Sequence, residues 1–404
     1  TLAQQLDTVL AGGDLTFEAP LKDPESYLFS GYEWQSIPSL ETESQPATAV
    51  DLTKAAIAPQ NEPTRLRRKK LWSNGQLQRP GNILIVPSAS GSDRVLVIEG
   101  LPRVAELNAA GQVVAQHRLE LPDRDDSAVS FLRTAADASG QRYFLGSKAG
   151  VQQVHLFDGQ WKRLLSFPEA ADHPGIADAL LADLDGDGEL EMAVGYAEAV
   201  GVHGVTLAGE RLWRNAAAET VLRLDVTGPD RRGQRQLLVA EGLILPIDAD
   251  GNDWPEIASD DLFVRLVFTA DLDGDGAAEW CTIAMEWLDS GKLGPTLAVG
   301  FSPNGEERWR YALPDGEHQH PAFEMVTGGD LLGVGLGQWV IAAADGSIHV
   351  LTGDGGLVDR FNYGAAPSGM AIAYLEGRPT LLISTDQAVE AWQFELPPVE
   401  AAEE

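Results

Sequence analysis

The chain has 404 residues, 44% of them apolar and 22% charged, with a formal net charge of −32 and a single cysteine. A surface this acidic repels nucleic acid and anionic lipid, whose binding depends on basic patches. No run of 18 or more apolar residues offers a membrane span, and the lone Cys281 excludes an intrachain disulfide and reads as a small buried hydrophobe.

Residues 1–68 do not share the pattern of the rest. Leu2, Leu6, Val9 and Leu10 make a short amphipathic stripe, and Tyr27, Phe29, Tyr32 and Trp34 crowd into eight residues. The Pro/Ala/Thr/Gln-rich stretch 41–63 reads as linker. The segment is expected to be an extended N-terminal arm that docks its aromatics on the rest of the chain or on a partner, with a solvated leader as the alternative. A basic run, Arg65–Lys70, then reverses the local charge. The start at Thr1 rather than Met is what a cleaved leader or a cut boundary would leave.

From about residue 69 a unit of about 42–58 residues recurs, the period of a propeller blade. Each opens on a short apolar strand: Asn82–Val86, Phe131–Ala135, Ala179–Ala182, Val221–Leu224, Val264–Phe268, Phe323–Val326 and Met370–Tyr374. Each closes on a glycine-centred hairpin, clearest in the near copies Gly209-Glu-Arg-Leu-Trp213 and Gly305-Glu-Glu-Arg-Trp309, weaker at Gly111, Gly159 and Gly356. The last unit lacks a fourth strand before Pro397 and Pro398, while Lys70-Leu-Trp-Ser-Asn74 echoes Arg211-Leu-Trp-Arg-Asn215. Closing the ring with that N-terminal strand removes an exposed sheet edge. The expected fold is all-β: a seven-bladed β-propeller over residues 69–396, followed by an acidic tail, 397–404. The long stretch 281–327 is where an eighth or mis-phased unit would hide.

Two nine-residue loops carry the chemistry, Asp183-Leu-Asp-Gly-Asp-Gly-Glu-Leu-Glu191 and Asp271-Leu-Asp-Gly-Asp-Gly-Ala-Ala-Glu279. Acids stand at positions 1, 3, 5 and 9 and glycines at 4 and 6. Alternating carboxylates converge only where the backbone curls tightly, and glycine reaches the positive φ this needs. Acids packed so closely call for a hard cation, and Ca²⁺ takes 6–8 oxygen ligands in flexible geometry where Mg²⁺ demands octahedral order. An EF-hand is excluded: position 12 is Val194 or Thr282, not Glu, and strand-like sequence follows each loop.

The pattern D-x-D-G-D-G-x-x-[DE] before a strand resembles the calcium loops of FG-GAP/VCBS repeats, the units of integrin-α-type propellers. The resemblance implies ligation by the side chains of Asp183, Asp185, Asp187 and Glu191 with the carbonyl of Glu189. In the second loop it implies Asp271, Asp273, Asp275 and Glu279 with the carbonyl of Ala277. Glu at position 9, where the family usually has Asp, is a departure. Asp248, Asp250, Asn252 and Glu256 fit the same spacing, but fall where the fourth unit should have its strand 3–4 hairpin; a plain turn and a third ion site both stand open. Asp225–Asp230 and Asp137–Gly140 read as loops that have lost the metal pattern.

No nucleophile elbow, P-loop or dinucleotide fingerprint occurs in the needed context. His318 and His320 have spacing suited to a transition metal, and His173 stands on a loop as a proton-transfer candidate, but lone histidines are more often solvated. The Trp-bearing strands Arg211–Arg214 and Arg308–Arg310 are assigned to outer-strand packing rather than to a cofactor funnel. The expected function is a calcium-stabilised binding or scaffold module for a protein or glycan ligand, or a subunit of a larger assembly. Weak acidic calcium loops suit an extracytoplasmic setting with millimolar Ca²⁺. The alternative is a polysaccharide lyase or hydrolase with an axial pocket.

Overall fold

The computed structural model describes residues 66–397, except 89–90, 101, 123–128, 170–172, 258–260, 289 and 317–325. The expected arm, apart from its last three residues, the tail beyond Pro397 and the His318/His320 pair therefore lie outside the described residues.

Seven antiparallel sheets follow one another along the chain. Blade 1 holds β2 (Pro80–Val86), β3 (Arg94–Glu99), β4 (Arg103–Leu107) and β5 (Val113–Arg118). Blade 2 holds β6 (Phe131–Ala136), β7 (Arg142–Ser147), β8 (Val154–Asp158) and β9 (Arg163–Phe167). Blade 3 holds β10 (Ile176–Ala182), β11 (Glu191–Tyr196), β12 (Val202–Thr206) and β13 (Arg211–Asn215). Blade 4 has three strands, β14 (Arg223–Val226), β15 (Leu237–Ala240) and β16 (Ile244–Ile247). Blade 5 holds β17 (Leu262–Ala270), β18 (Glu279–Trp287), β19 (Leu293–Phe301) and β20 (Glu307–Ala312). Blade 6 holds β21 (Val326–Gly329), β22 (Gln338–Ala342), β23 (Ser347–Thr352) and β24 (Leu357–Asn362). Blade 7 combines β25 (Gly369–Leu375), β26 (Arg378–Ser384) and β27 (Val389–Glu395) with β1 (Arg67–Asn74).

The first strands touch in a closed cycle, β2 to β6, β10, β14, β17, β21, β25 and back to β2, and so line the axis. Middle strands are covered on both faces and are buried without a break, as in Glu191–Tyr196 and Gln338–Ala342, where apolar residues follow one polar residue. Outer strands alternate, as in Val113–Arg118. The core is divided among the blade interfaces: Val97 and Ala105 meet Leu382 and Ala391 between blades 1 and 7, and Leu224 and Val239 meet Leu180 and Ala193 between blades 4 and 3.

β1 closes the ring as expected. Lys70 pairs with Trp392 and Asn74 with Val389, antiparallel, and the Lys70 ammonium lies 2.6 Å from Glu390. The Leu-Trp-x-Asn echo has a physical cause. Trp72 on β1 lies over Gly111 of blade 1, where an added Cβ would fall 2.4 Å from the indole, and its Nε1 donates to the Ala109 carbonyl at 2.8 Å. Asn74 Nδ2 donates to the Gly111 carbonyl at 2.7 Å. Trp213 packs on Gly251 of blade 4 in the same way and Asn215 Nδ2 donates to the Gly251 carbonyl at 3.0 Å, while Trp309 lies over Gly355 of blade 6. The glycine column is thus a row of inter-blade sockets, and the Trp strands do pack as outer strands.

Several details differ from the sequence reading. The first strand of blade 4 is Arg223–Val226, two residues later than expected; in blade 6 the described strand is Val326–Gly329, and residues 323–325 of the expected strand lie outside the described residues. In the strand 3–4 turns the left-handed residue follows a type I turn. That residue is Gly355, φ +82°, rather than Gly356, and in blade 2 it is Trp161, φ 65°, rather than Gly159. Among the described residues of 281–327, the nine-residue strands β18 and β19 take up much of the length and no extra sheet occurs.

Candidate metal loops and the axial cavity

The two acidic loops join strands 1 and 2 of blades 3 and 5, and their hydrogen bonds match one for one. Asp183 accepts from the amides of Gly186 (2.8 Å) and Gly188 (3.1 Å), and Asp271 from Gly274 (2.7 Å) and Gly276 (3.0 Å). Asp185 accepts from Asp187 N and Asp187 from Glu189 N; Asp273 and Asp275 do the same with Asp275 N and Ala277 N. All four loop glycines are left-handed, with φ between +78° and +91°.

This wrapping brings one carboxylate oxygen each of Asp183, Asp185 and Asp187 within 4.8 Å of one another, and likewise for Asp271, Asp273 and Asp275. The position-9 acids are not in these triads. Glu191 Oε2 instead accepts the Leu184 amide at 2.8 Å, and Glu279 Oε2 the Leu272 amide at 3.0 Å. Burial, reinforced by Asp185, Asp187 and Asp183, pushes Glu191 up to about 7 against the opposing Leu184 amide. Burial likewise raises Glu279. The donor set is all oxygen and fits a hard divalent cation.

Each loop also touches its neighbours. The Leu184 carbonyl accepts the Arg235 amide of blade 4 at 2.9 Å, and the Leu272 carbonyl accepts the Gly337 amide of blade 6 at 2.5 Å. Blade 2 reaches in from the other side, with Ala138 N donating to the Gly188 carbonyl at 2.9 Å.

Asp248–Asn252 is placed in the strand 3–4 hairpin of blade 4. Asp248 accepts from the amides of Asp250 and Asn252, and Gly251 packs against Trp213. Beyond it the expected fourth strand dwindles to isolated bridges, Asp253 to Ile247 and Ile257 to Ile244. The Trp254 amide still donates to the Pro246 carbonyl at 2.9 Å, and Pro255, which has no amide proton, then interrupts the ladder. His173 is engaged by the main chain: Nδ1 accepts Gly175 N at 3.2 Å and Nε2 contacts the Gln152 carbonyl at 3.0 Å. Cys281 is fully buried, and burial pushes its thiol up.

Sequence reasoning missed a charged group on the axis. Asp225, read as part of a lapsed loop, lies in β14 and lines an axial cavity of about 390 Å³ together with Arg133 and Arg223. The Arg133 guanidinium donates to buried Asp178 at 2.7 Å and to the Leu224 carbonyl at 3.0 Å. Arg223 stacks over Phe131 and Phe268, 5.4 and 5.0 Å from the ring centres. Asp225 accepts the amides of Val226 and Thr269, both at 2.9 Å. Burial raises its carboxyl while the two arginines oppose the rise. The available signal was a charged residue inside the apolar first strand of three successive units: Arg133, Asp178, and Arg223 with Asp225.

No protein-family model matches the chain, and no curated protein matches it. Solved structures do. The chain is similar to BBS1N in a crystal structure of its complex with ARL6DN, with TM-score 0.57 and 13% identity over 85% of this chain and 100% of that one. It is similar to virginiamycin B lyase from Staphylococcus aureus, with TM-score 0.51 and 10% identity over 81% and 99% of the two chains. The Dos1 propeller matches at TM-score 0.50 and 10% identity, over 78% of each chain. At these identities the likeness is one of fold, and this chain is a seven-bladed β-propeller.

Proposed function

We propose that the protein is a calcium-stabilised propeller of the FG-GAP/VCBS type that works outside the cytoplasm as a binding or scaffold module, with a protein or glycan as its partner. The observation that carries this reading is the convergence of two carboxylate triads in loops with identical hydrogen bonding. Each loop is also tied by backbone bonds to an adjacent blade. An ion there neutralises the triad and holds three consecutive segments of the ring together. Millimolar Ca²⁺ outside the cytoplasm is the concentration range of extracellular modules.

A protein partner is the better-supported occupant, because a fold neighbour, BBS1N, was crystallised in complex with ARL6DN. Tyr27, Phe29, Tyr32 and Trp34 of the arm are anchors of the type that dominate interface energies. A hydrolase reading is weaker, since glycoside hydrolysis uses a carboxylate pair and the axial cavity offers Asp225 alone, with both oxygens bound to amides.

Calorimetric scans test the ion. An ion that binds only the folded state at a hundredfold excess over Kd stabilises by about 2.7 kcal/mol. The melting temperature should therefore be lower in EGTA than in Ca²⁺, and Asp185→Ala should remove part of the difference. Identical scans would sink the proposal.

A further inference from the structure

We propose that the axial cavity is a binding site for a small amphipathic anion, an apolar chain ending in a carboxylate. This is independent of the calcium loops, which join strands 1 and 2 and do not line the cavity.

The cavity has two unlike halves. Along one arc of the ring, β21, β25 and β2 present Val326, Met370, Ile372 and Ile85. Beside β2, β6 presents the Arg133 guanidinium, and across the axis β14 presents that of Arg223, with Phe131, Val226 and Phe268 around them. Ile85, Ile372, Arg133 and Asp225 are only partly buried, so solvent reaches the space. Its volume of about 390 Å³ falls among ordinary small-ligand pockets, which are mostly apolar with a few placed polar groups.

The cavity wall is less acidic than the chain as a whole. Two guanidiniums line it against one carboxylate, in a protein of net charge −32. Asp178, which pairs with Arg133 at 2.7 Å and lies 3.8 Å from the Arg223 Nε, does not itself line the cavity. Both cations are held in place, Arg133 by Asp178 and the Leu224 carbonyl, Arg223 by the two phenyl rings and by Asp178 at 3.8 Å. Preorganised side chains lose little rotamer freedom on binding, and the planar guanidinium fork matches a carboxylate in geometry. An alkyl chain on the isoleucine arc with its carboxylate toward Arg223 satisfies both halves.

The probes are octanoate, octan-1-ol and octylamine, each titrated into the full chain by calorimetry below micelle-forming concentration. Octanoate should saturate one site, with octylamine at least tenfold weaker. Arg223→Met keeps the aliphatic bulk and leaves Asp178 paired with Arg133; it should weaken octanoate at least tenfold. Ile372→Trp fills the cavity and should abolish octanoate binding. Absence of saturable octanoate binding, equal binding of octylamine, or binding that survives Ile372→Trp would each overturn the proposal. If Arg223→Met fails to fold, the probe comparison on the native chain and Ile372→Trp still decide.

Discussion

Tryptophans packed over left-handed glycines join three pairs of neighbouring blades, and Gly355→Ala tests one of these contacts. Gly355 has φ +82°, a region that costs an L-residue about 1–2 kcal/mol. The new methyl would also lie 2.4 Å from Trp309 Cγ and 2.5 Å from Cδ2, which nothing short of moving the indole relieves. Overpacking of this kind costs about 1–3 kcal/mol. A displaced ring also strains the 2.8 Å hydrogen bond from Trp309 Nε1 to the Gly353 carbonyl. The expected loss is about 2–5 kcal/mol. Gly291→Ala is the control, because Gly291 has φ +72° with nothing within 4 Å of its would-be Cβ, so it should lose only the backbone part, about 1–2 kcal/mol. Urea unfolding at unchanged slope reads both. Trp309→Leu in the Gly355→Ala background should recover part of the loss, as expected for residues in contact. Equal destabilisation by the two alanines would refute the socket.

Deleting residues 1–60 should leave a folded propeller, whereas deleting 1–76 removes β1 and its pairing with β27. The longer deletion should aggregate through the bared edge; a monomer with unchanged melting would contradict ring closure by β1. Because Glu191 is held up to about 7 by burial, it is largely protonated in weakly acid solution, and its proton competes with the ion. Calcium affinity should therefore fall as pH drops from 8 to 6, with protons released on binding. Calorimetry in buffers of different ionisation enthalpy checks this, and a pH-independent affinity would count against it.

The fold was legible because the blade repeats its local chemistry. Buried strands read as largely apolar runs, outer strands alternate, and the Gly-to-Trp spacing is kept between the hairpins at Gly209 and Gly305. The boundaries were less legible where one residue type substitutes for another in a turn. Trp161 takes the left-handed position that glycine fills elsewhere, and two adjacent glycines, 355 and 356, cannot be told apart by spacing. In blade 4 the hairpin at Gly251 is kept, but among the described residues only isolated bridges follow it. The acidic loops were readable because all their groups lie within nine residues. The axial cluster was not, since Arg133 meets Asp178 and Leu224 across 45 and 91 residues of chain. Such pairings follow from ring closure, not from local pattern.

The most direct measurement is a count of bound ions by equilibrium dialysis against calcium at millimolar free concentration. The account expects two high-occupancy ions per chain, with Asp185→Ala and Asp273→Ala each removing one and the double variant binding none. A native chain that holds no calcium, or variants that bind as many ions as the native chain, would contradict it.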